Sequence, residues 1–445
     1  MPGSSTDPSR HLALALALAL AAPSVAQAQA APSPSATIPV GNCNDAGAGS
    51  LRAAVASAAD GDTIDLRSLQ CRQLLLTSGA IHVTQDDLTM LGPTRAFTID
   101  GNAVDMVFLH TGSGTLRLRA LSIANGNHEE NKATGGCIHS DGDLRLEYVR
   151  VHDCRLYDSL GYLGGGGAIA ANDVALYDSE VFDNVAYAPS DDIYPLGGGI
   201  LAHGDLALVR SRVNDNTAQG GYGGGVYTEG GLQVRYSEVS GNFSRYYGGL
   251  YANTGQATEV VGSLFAGNEA YVATIVGILG GSALVVDTTV SGNTAGRNSG
   301  LQLVADETSV VNSTIVDNVE NQRSTPCGGA LVFTGDVLLE STIVARNRCG
   351  GVPLDITGIL GTGEVMGSDN LVQASTLPLP PDTISANPRI SPLADNGGRT
   401  RTHALWAGSP AVDMGNNNAG LAFDQRGPGF DRVKGARADI GAYER

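Results

Sequence analysis

Two consecutive stretches decide how the chain is read: GGGILAHGDLALVRSRVNDN, Gly197 to Asn216, and GGGVYTEGGLQVRYSEVSGN, Gly223 to Asn242. Each has a glycine cluster, a short apolar pair, a turn, an alternating run and then Ser-x-Val-x-x-Asn. The closing Asn recurs at Asn184, Asn216, Asn242, Asn268, Asn293 and Asn318, in steps of 32, 26, 26, 25 and 25. Looser copies end at Cys154 and at Arg346-Asn347. A fixed period in the tens of residues is the mark of a solenoid. Five residues before each Asn stands a hydroxyl: Ser179, Ser211, Ser237, Ser263, Thr288 and Ser313. Three before it stands an apolar residue: Val181, Val213, Val239, Phe265, Val290 and Ile315. Residues two apart share one face of a strand, so a hydroxyl column and an apolar column run along the array together. The Asn itself fits a left-handed turn, with its amides bonding from coil to coil.

A repeat of about 25 residues cannot hold a helix, three strands and their turns, but it holds three short strands and their turns. That is one coil of a right-handed parallel β-helix, with coils stacked about 4.8 Å apart. A leucine-rich repeat would need Leu-x-x-Leu-x-Leu and helical segments, which are missing. The expected fold class is all-β, a right-handed parallel β-helix. Composition agrees: 60 glycines and 5% aromatics in 445 residues suit many short strands and tight turns. A formal charge of -18, with only Lys132 and Lys434 as lysines, repels phosphate backbones and argues against a nucleic-acid partner.

Arg10 and His11 precede an apolar run, Leu12 to Ala22, and the small-x-small sites Ala26-Gln27-Ala28 and Ala28-Gln29-Ala30. Residues 1–30 therefore read as a secretory signal peptide, and the rest as an exported monomer with no membrane span. Residues 31–40 read as a linker. Residues 41–126 read as an N-terminal cap and the first coils. In them Ser50 caps a helix with Leu51, Val55 and Ala58 on one face, ended by Asp60-Gly61 and lying across the open end of the solenoid. Residues 127–350 are the regular repeats, and 351–445 the last coils and an irregular closing segment. Export makes the six cysteines a disulfide question. Cys137 opens a repeat that Cys154 closes, and Cys327 and Cys349 do the same. The pairs expected are thus Cys43–Cys71, Cys137–Cys154 and Cys327–Cys349, against an alternative of free buried thiols.

The two ends carry a resemblance. GSLRAAVASAADGDTIDL is similar to the N-terminal region named for its Cys-Ser-Leu-Arg-Glu-Ala pattern (CSLREA), with Gly49 in place of the Cys and Ala53 in place of the Glu. At the other end stand Asn387-Pro388, Pro392-Leu393-Ala394-Asp395-Asn396-Gly397-Gly398 and Gly408-Ser409-Pro410-Ala411-Val412-Asp413. Asp424-Gln425-Arg426-Gly427 and Ala438-Asp439-Ile440-Gly441-Ala442-Tyr443-Glu444 follow. Together these resemble the choice-of-anchor domain (Q type) of bacterial surface proteins. The resemblance implies a pectate-lyase-like β-helix exported to the bacterial surface, medium or periplasm. It implies no reaction. The Asp, Gly and Pro of the C-terminal motif read as turn-builders that close the coil.

Two features are left as candidate sites. Insertions at 155–163, 185–196 and 217–222 break the period, and 13 of the 14 tyrosines fall between Tyr148 and Tyr271. Insertions in solenoids map to loops on one face, often the binding face. Tyr162, Tyr187, Tyr194, Tyr222, Tyr246 and Tyr247 are the expected contact residues, although tyrosine also simply suits strands. The second feature is the position before the closing Asn, which is Asp183, Asp215 and Asp317 in some repeats and glycine in others, with Asp153 in the same column. Stacked carboxylates need a cation, a raised pKa or full solvation. The column reads as a Ca²⁺ site at Asp183 and Asp215, as an acid/base set of Asp153, Asp183 and Asp215 for glycoside cleavage, or as an exposed turn in which Asp caps the backbone. No other cofactor is implied, and no Gly-x-Ser-x-Gly, His-Glu-x-x-His or phosphate loop is present. The leading expectation is a non-catalytic exported β-helix that contacts glycan, matrix or a cell-surface component through its tyrosine loops. The alternative is a polysaccharide lyase or hydrolase built on the Asp column.

Overall fold

The structure is a computed structural model that describes residues 35–130, 134–158, 164–188, 194–321, 327–359 and 363–445. Residues 1–30, read as a signal peptide, and Tyr162 lie outside these residues. The chain falls into two compact units: Ser33–Gly255 with Gly267–Gly277, and Gln256–Ala266 with Ile278–Arg445. Both are right-handed parallel β-solenoids. No described helix is long and apolar enough to cross a membrane.

A coil carries four short strands, one more than the period suggested. In the coil after Gly199 they are Ile200–Ala202, Leu206–Val209, Arg212–Asn214 and Thr217–Gln219, here called faces 1 to 4. Each pairs in parallel and in register with its counterpart one coil away, as in Val174↔Leu206↔Leu232 and Val181↔Val213↔Val239. Four strands fit because two of the corners turn on a single left-handed residue. Between faces 2 and 3 these are Tyr148, Asp178, Arg210 and Tyr236, with φ of 55°, 49°, 51° and 50°. Between faces 3 and 4 they are Asp153, Asp183, Asp215 and Gly241, with φ of 55°, 57°, 55° and 66°. The left-handed turn expected at the repeat Asn thus sits one residue earlier, where Asp and Gly tolerate it.

The Asn points inward and forms a ladder. Asn184 Nδ2 donates to Asn216 Oδ1 at 2.8 Å, Asn216 to Asn242 at 3.0 Å and Asn242 to Asn268 at 3.0 Å. In the second unit Asn293 donates to Asn318 and Asn318 to Asn347, at 2.8 and 2.9 Å. Asn347 then donates to Asp355, a buried carboxylate that ends the ladder. The hydroxyl column bonds likewise: Ser179 N–H donates to Ser211 Oγ and Ser211 N–H to Ser237 Oγ, at 3.1 and 3.0 Å. The columns read from the repeat are therefore hydrogen-bonded stacks that satisfy buried amides. Between them the apolar residues interdigitate; Leu206 and Leu208 are buried while Ala207 and Val209 are half-exposed.

The cap behaves as expected with small changes. Ser50 Oγ accepts from Ala53 N–H, and the helix Leu51–Ser57 buries Leu51, Ala54 and Val55 against Ile81–Val83. It ends before Ala58, which is extended and half-buried. Arg52 pins it through the carbonyl of Gly79 and the carboxylate of Asp45, both at 2.8 Å. Residues 37–39, read as linker, form a strand on face 2 paired with Thr63–Asp65. All three disulfides join the expected cysteines.

The closing segment does more than turn the last coil. Residues 390–442 lie over face 3 of the second unit, where the outward residues of Thr289–Ser291, Thr314–Val316 and Ile343–Ala345 are all buried. Val316, Ile343, Ala345 and Leu371 share a core with Ile390, Leu405, Ala411 and Ile440. His403 Nδ1 donates to Ser391 O, so Nε2 accepts the Ser291 hydroxyl at 2.8 Å; burial holds the imidazole below its ordinary pKa. Arg426 makes a bidentate pair with Asp424 and lies over Phe430 and Tyr443, 4.1 and 3.9 Å from the ring centres. Glu444 accepts from the backbone of Lys434 and Asp439. The turn-building motif residues are thus the buried hinge points of a lateral cover.

Candidate functional site

The corner into face 1 carries the inserted loops of the first unit. Gly197 and Gly223 have φ of 71° and 66°, and a Cβ there would stand 2.0 and 2.2 Å from the carbonyls of Ile200 and Val226. Only glycine lets the loop press this closely on the strand. Tyr222 N–H donates to Pro195 O, and Tyr246 N–H to Gly221 O, so successive loops stack as the coils do.

Stacking brings the tyrosines together. Tyr222 and Tyr246 lie face to face with centroids 4.5 Å apart, and Tyr194 meets both edge-on at 5.7 Å. Tyr247 stacks on Tyr251 at 4.0 Å, and Tyr222 links the two groups at 6.1 and 5.8 Å. Tyr251 meets Tyr227 at 5.3 Å. The patch rests on the outward column Ala170, Leu201 and Tyr227, with Leu196 beside it. The Arg245 guanidinium lies over Tyr194 and Tyr246, 5.9 and 5.5 Å from the ring centres. Burial pushes the phenols of Tyr222, Tyr227 and Tyr251 up, and that of Tyr247 up to about 12. Among the described residues the patch is aromatic and largely half-buried, with the Arg245 guanidinium at its rim.

Four of the six expected contact tyrosines, Tyr194, Tyr222, Tyr246 and Tyr247, belong to this patch. Tyr187 does not. It sits in the strand Val185–Tyr187 on face 4 and stacks on Tyr157 at 5.4 Å, so the strand preference of tyrosine accounts for it. The sequence reading passed over Tyr227, Tyr251 and Arg245. The signal for the first two was present: Tyr227 and Tyr251 occupy the same position of the repeat in consecutive coils.

Asp153, Asp183 and Asp215 stand in successive coils at the corner between faces 3 and 4. The tyrosine loops stand at the other end of the face 4 strand, Thr217–Gln219 in that coil. Asp153 Oδ2 accepts from Nδ1 of its neighbour His152 at 2.7 Å, and the His152 ring stacks on Phe182 at 4.8 Å. The Asp215 carboxyl is pushed up by desolvation and by Asp183 and Glu238. Among the described residues, no third carboxylate, His or Cys joins Asp183 and Asp215 closely enough to make a metal-sized cluster. A second Asp column went unnoticed in the sequence. Asp143, Asp173 and Asp205 each accept a backbone N–H from the next coil, at 3.2, 2.7 and 2.7 Å. These carboxylates hold the corner between faces 1 and 2, a structural task.

No family model matches the chain, and no curated protein matches it. Among solved structures, the crystal structure of pectate lyase Pel9A is similar in fold, with a TM-score of 0.45 and 14% identity over 93% of this chain and 97% of that one.

Proposed function

We propose that the first unit is a non-catalytic binding module whose tyrosine patch contacts a glycan. One observation supports this above the others: Tyr194, Tyr222, Tyr246 and Tyr247 converge with the strand residue Tyr251 on one outer face, although the loops carrying the first four differ in length. Pyranose rings present C–H faces that pack on neutral aromatic rings, while their hydroxyls reach the polar rim. Burial pushes the phenols of Tyr222, Tyr247 and Tyr251 up, so these three donate hydrogen bonds without adding charge. Three disulfides and the signal-like residues 1–30 support an extracellular setting. The CSLREA-like and choice-of-anchor-like ends support the bacterial cell surface within that setting. Binding of the mature chain to a glycan array, followed by titration of the best ligand, tests the reading. Tyr222→Ala with Tyr246→Ala should weaken that ligand at least tenfold. Unchanged affinity in the double variant, or no glycan bound, would overturn it.

A polysaccharide lyase or hydrolase is the second reading. The raised carboxyl of Asp215 beside Asp183 favours it. Release of reducing ends or unsaturated products, abolished by Asp215→Asn, would support it over binding alone.

A further inference from the structure

Among the buried acids of the second unit, Glu320 is the one that stands beside a disulfide among the described residues. Glu320 closes the strand Val319–Glu320 on face 4, in register with Cys349. The residue is fully buried. Its Oε2 accepts from the backbone N–H groups of Asn298 and Gly328, at 3.2 and 3.0 Å. Its Oε1 is buried and has no hydrogen-bond partner. A carboxylate oxygen placed this way is destabilising unless something meets it. What stands near the carboxylate is the Cys327–Cys349 disulfide: one carboxylate oxygen and the two sulfurs all lie within 4.8 Å of one another. Among the described residues this is the one such group, and the other two disulfides have no comparable acid or imidazole beside them.

We propose that Glu320, Cys327 and Cys349 form a redox-gated site for a thiophilic divalent cation of the Zn²⁺ class. With the disulfide closed, the sulfurs are poor ligands and only Oε2 of the carboxylate is hydrogen-bonded. A dithiol reductant passes two electrons and two protons to the disulfide and closes its own. The cation then displaces both thiol protons to solvent and binds two thiolates and Glu320 Oε1. Zinc–sulfur and zinc–oxygen bonds of about 2.3 and 2.1 Å in a tetrahedron hold ligand atoms about 3.5–3.8 Å apart, so the two sulfurs move apart once their bond opens, while the carboxylate oxygen already lies within reach. The two backbone N–H groups on Oε2 fix the carboxylate and leave Oε1 for the metal, the outer-shell arrangement that metal-bound carboxylates use. Three protein ligands leave a fourth position open, and half-buried Cys327 marks the side from which water reaches it.

The full chain tests this when reduced with a phosphine, which is oxidised to its oxide with the oxygen of water and does not itself chelate like a dithiol. Titration with Co²⁺ should give a thiolate-to-cobalt charge-transfer band that saturates at one ion per chain and is displaced by Zn²⁺. The oxidised chain should give none. Cys327→Ser should abolish the band, and Glu320→Gln should weaken Co²⁺ binding at least tenfold. No band in the reduced chain, a band that survives Cys327→Ser, or equal affinity in Glu320→Gln would overturn the proposal. If Glu320→Gln does not fold, the reduced wild type and Cys327→Ser still decide it.

Discussion

Truncating Asn216 to alanine tests whether the Asn ladder holds the coils together or merely accompanies them. The side chain is wholly buried and makes four hydrogen bonds. Its Oδ1 accepts from the backbone N–H and Nδ2 of Asn184, at 3.2 and 2.8 Å. Its Nδ2 donates to Asn242 Oδ1 and to Val181 O, both at 3.0 Å. Asn216→Ala leaves two donors of Asn184 without this acceptor and Val181 O without this donor, while Asn242 Oδ1 keeps the backbone N–H of residue 216. At about 1–3 kcal/mol for each orphaned buried group, with partial relaxation, the expected loss is about 3–5 kcal/mol. That is a large share of an ordinary folding free energy of about 5–15 kcal/mol. Urea unfolding followed by far-ultraviolet circular dichroism should show the midpoint falling without a change in slope. A loss below about 1 kcal/mol would refute the reasoning. Asn216→Asp adds a control. It keeps the acceptor for Asn184 but sets a buried carboxylate against Asn242 Oδ1, which raises the folded-state pKa. Its relative stability is therefore fullest below the unfolded value of about 4 and declines as pH rises through the folded value, a slope the alanine variant should lack.

Two further outcomes follow from the second unit. Burial pushes Asp355, which ends the ladder, up to about 6, against the hydrogen bonds from Asn347 and Ala374 that pull it down. Its contribution should be complete below about pH 4 and lost as pH rises through 6, by about 3 kcal/mol, and Asp355→Asn should flatten that part of a urea-midpoint series from pH 4 to 7. Arg426→Lys removes the fork to Asp424 and both ring contacts, and should cost about 2–4 kcal/mol. Limited proteolysis should then cut within 390–445 while the coils stay protected.

The fold was legible because its signal is periodic. Ser211, Val213 and Asn216 recur at fixed offsets, and each column proved to be one line of contacts. The count of strands was not legible, since a strand of two or three residues with a one-residue corner leaves no alternation to read. The left-handed position was misplaced by one for the same reason: Asp215 and Asn216 both suit such a turn, and only the inward ladder separates them. The aromatic patch was half legible. Tyr194 and Tyr222 stand out as loop residues, whereas Tyr251 lies in a strand and joins them only because it stacks above Tyr227. Glu320 was invisible, because nothing local marks an acid as buried beside a disulfide. The lateral cover was missed too. The outward residues of face 3 change from Arg212 and Glu238 to the buried Thr289, Thr314 and Ile343, a shift in one column that the repeat consensus averages away.

The corners of the first unit differ in how much chain they admit. The turn from face 3 to face 4 is always a left-handed residue and the ladder position. The turn into face 1 takes twelve residues after Tyr187, six after Gln219 and five after Ser244. Insertions are thereby quarantined. A loop can lengthen, shorten or change its chemistry there without shifting any ladder out of register, so the scaffold and the recognition surface are free to evolve at different rates within every coil.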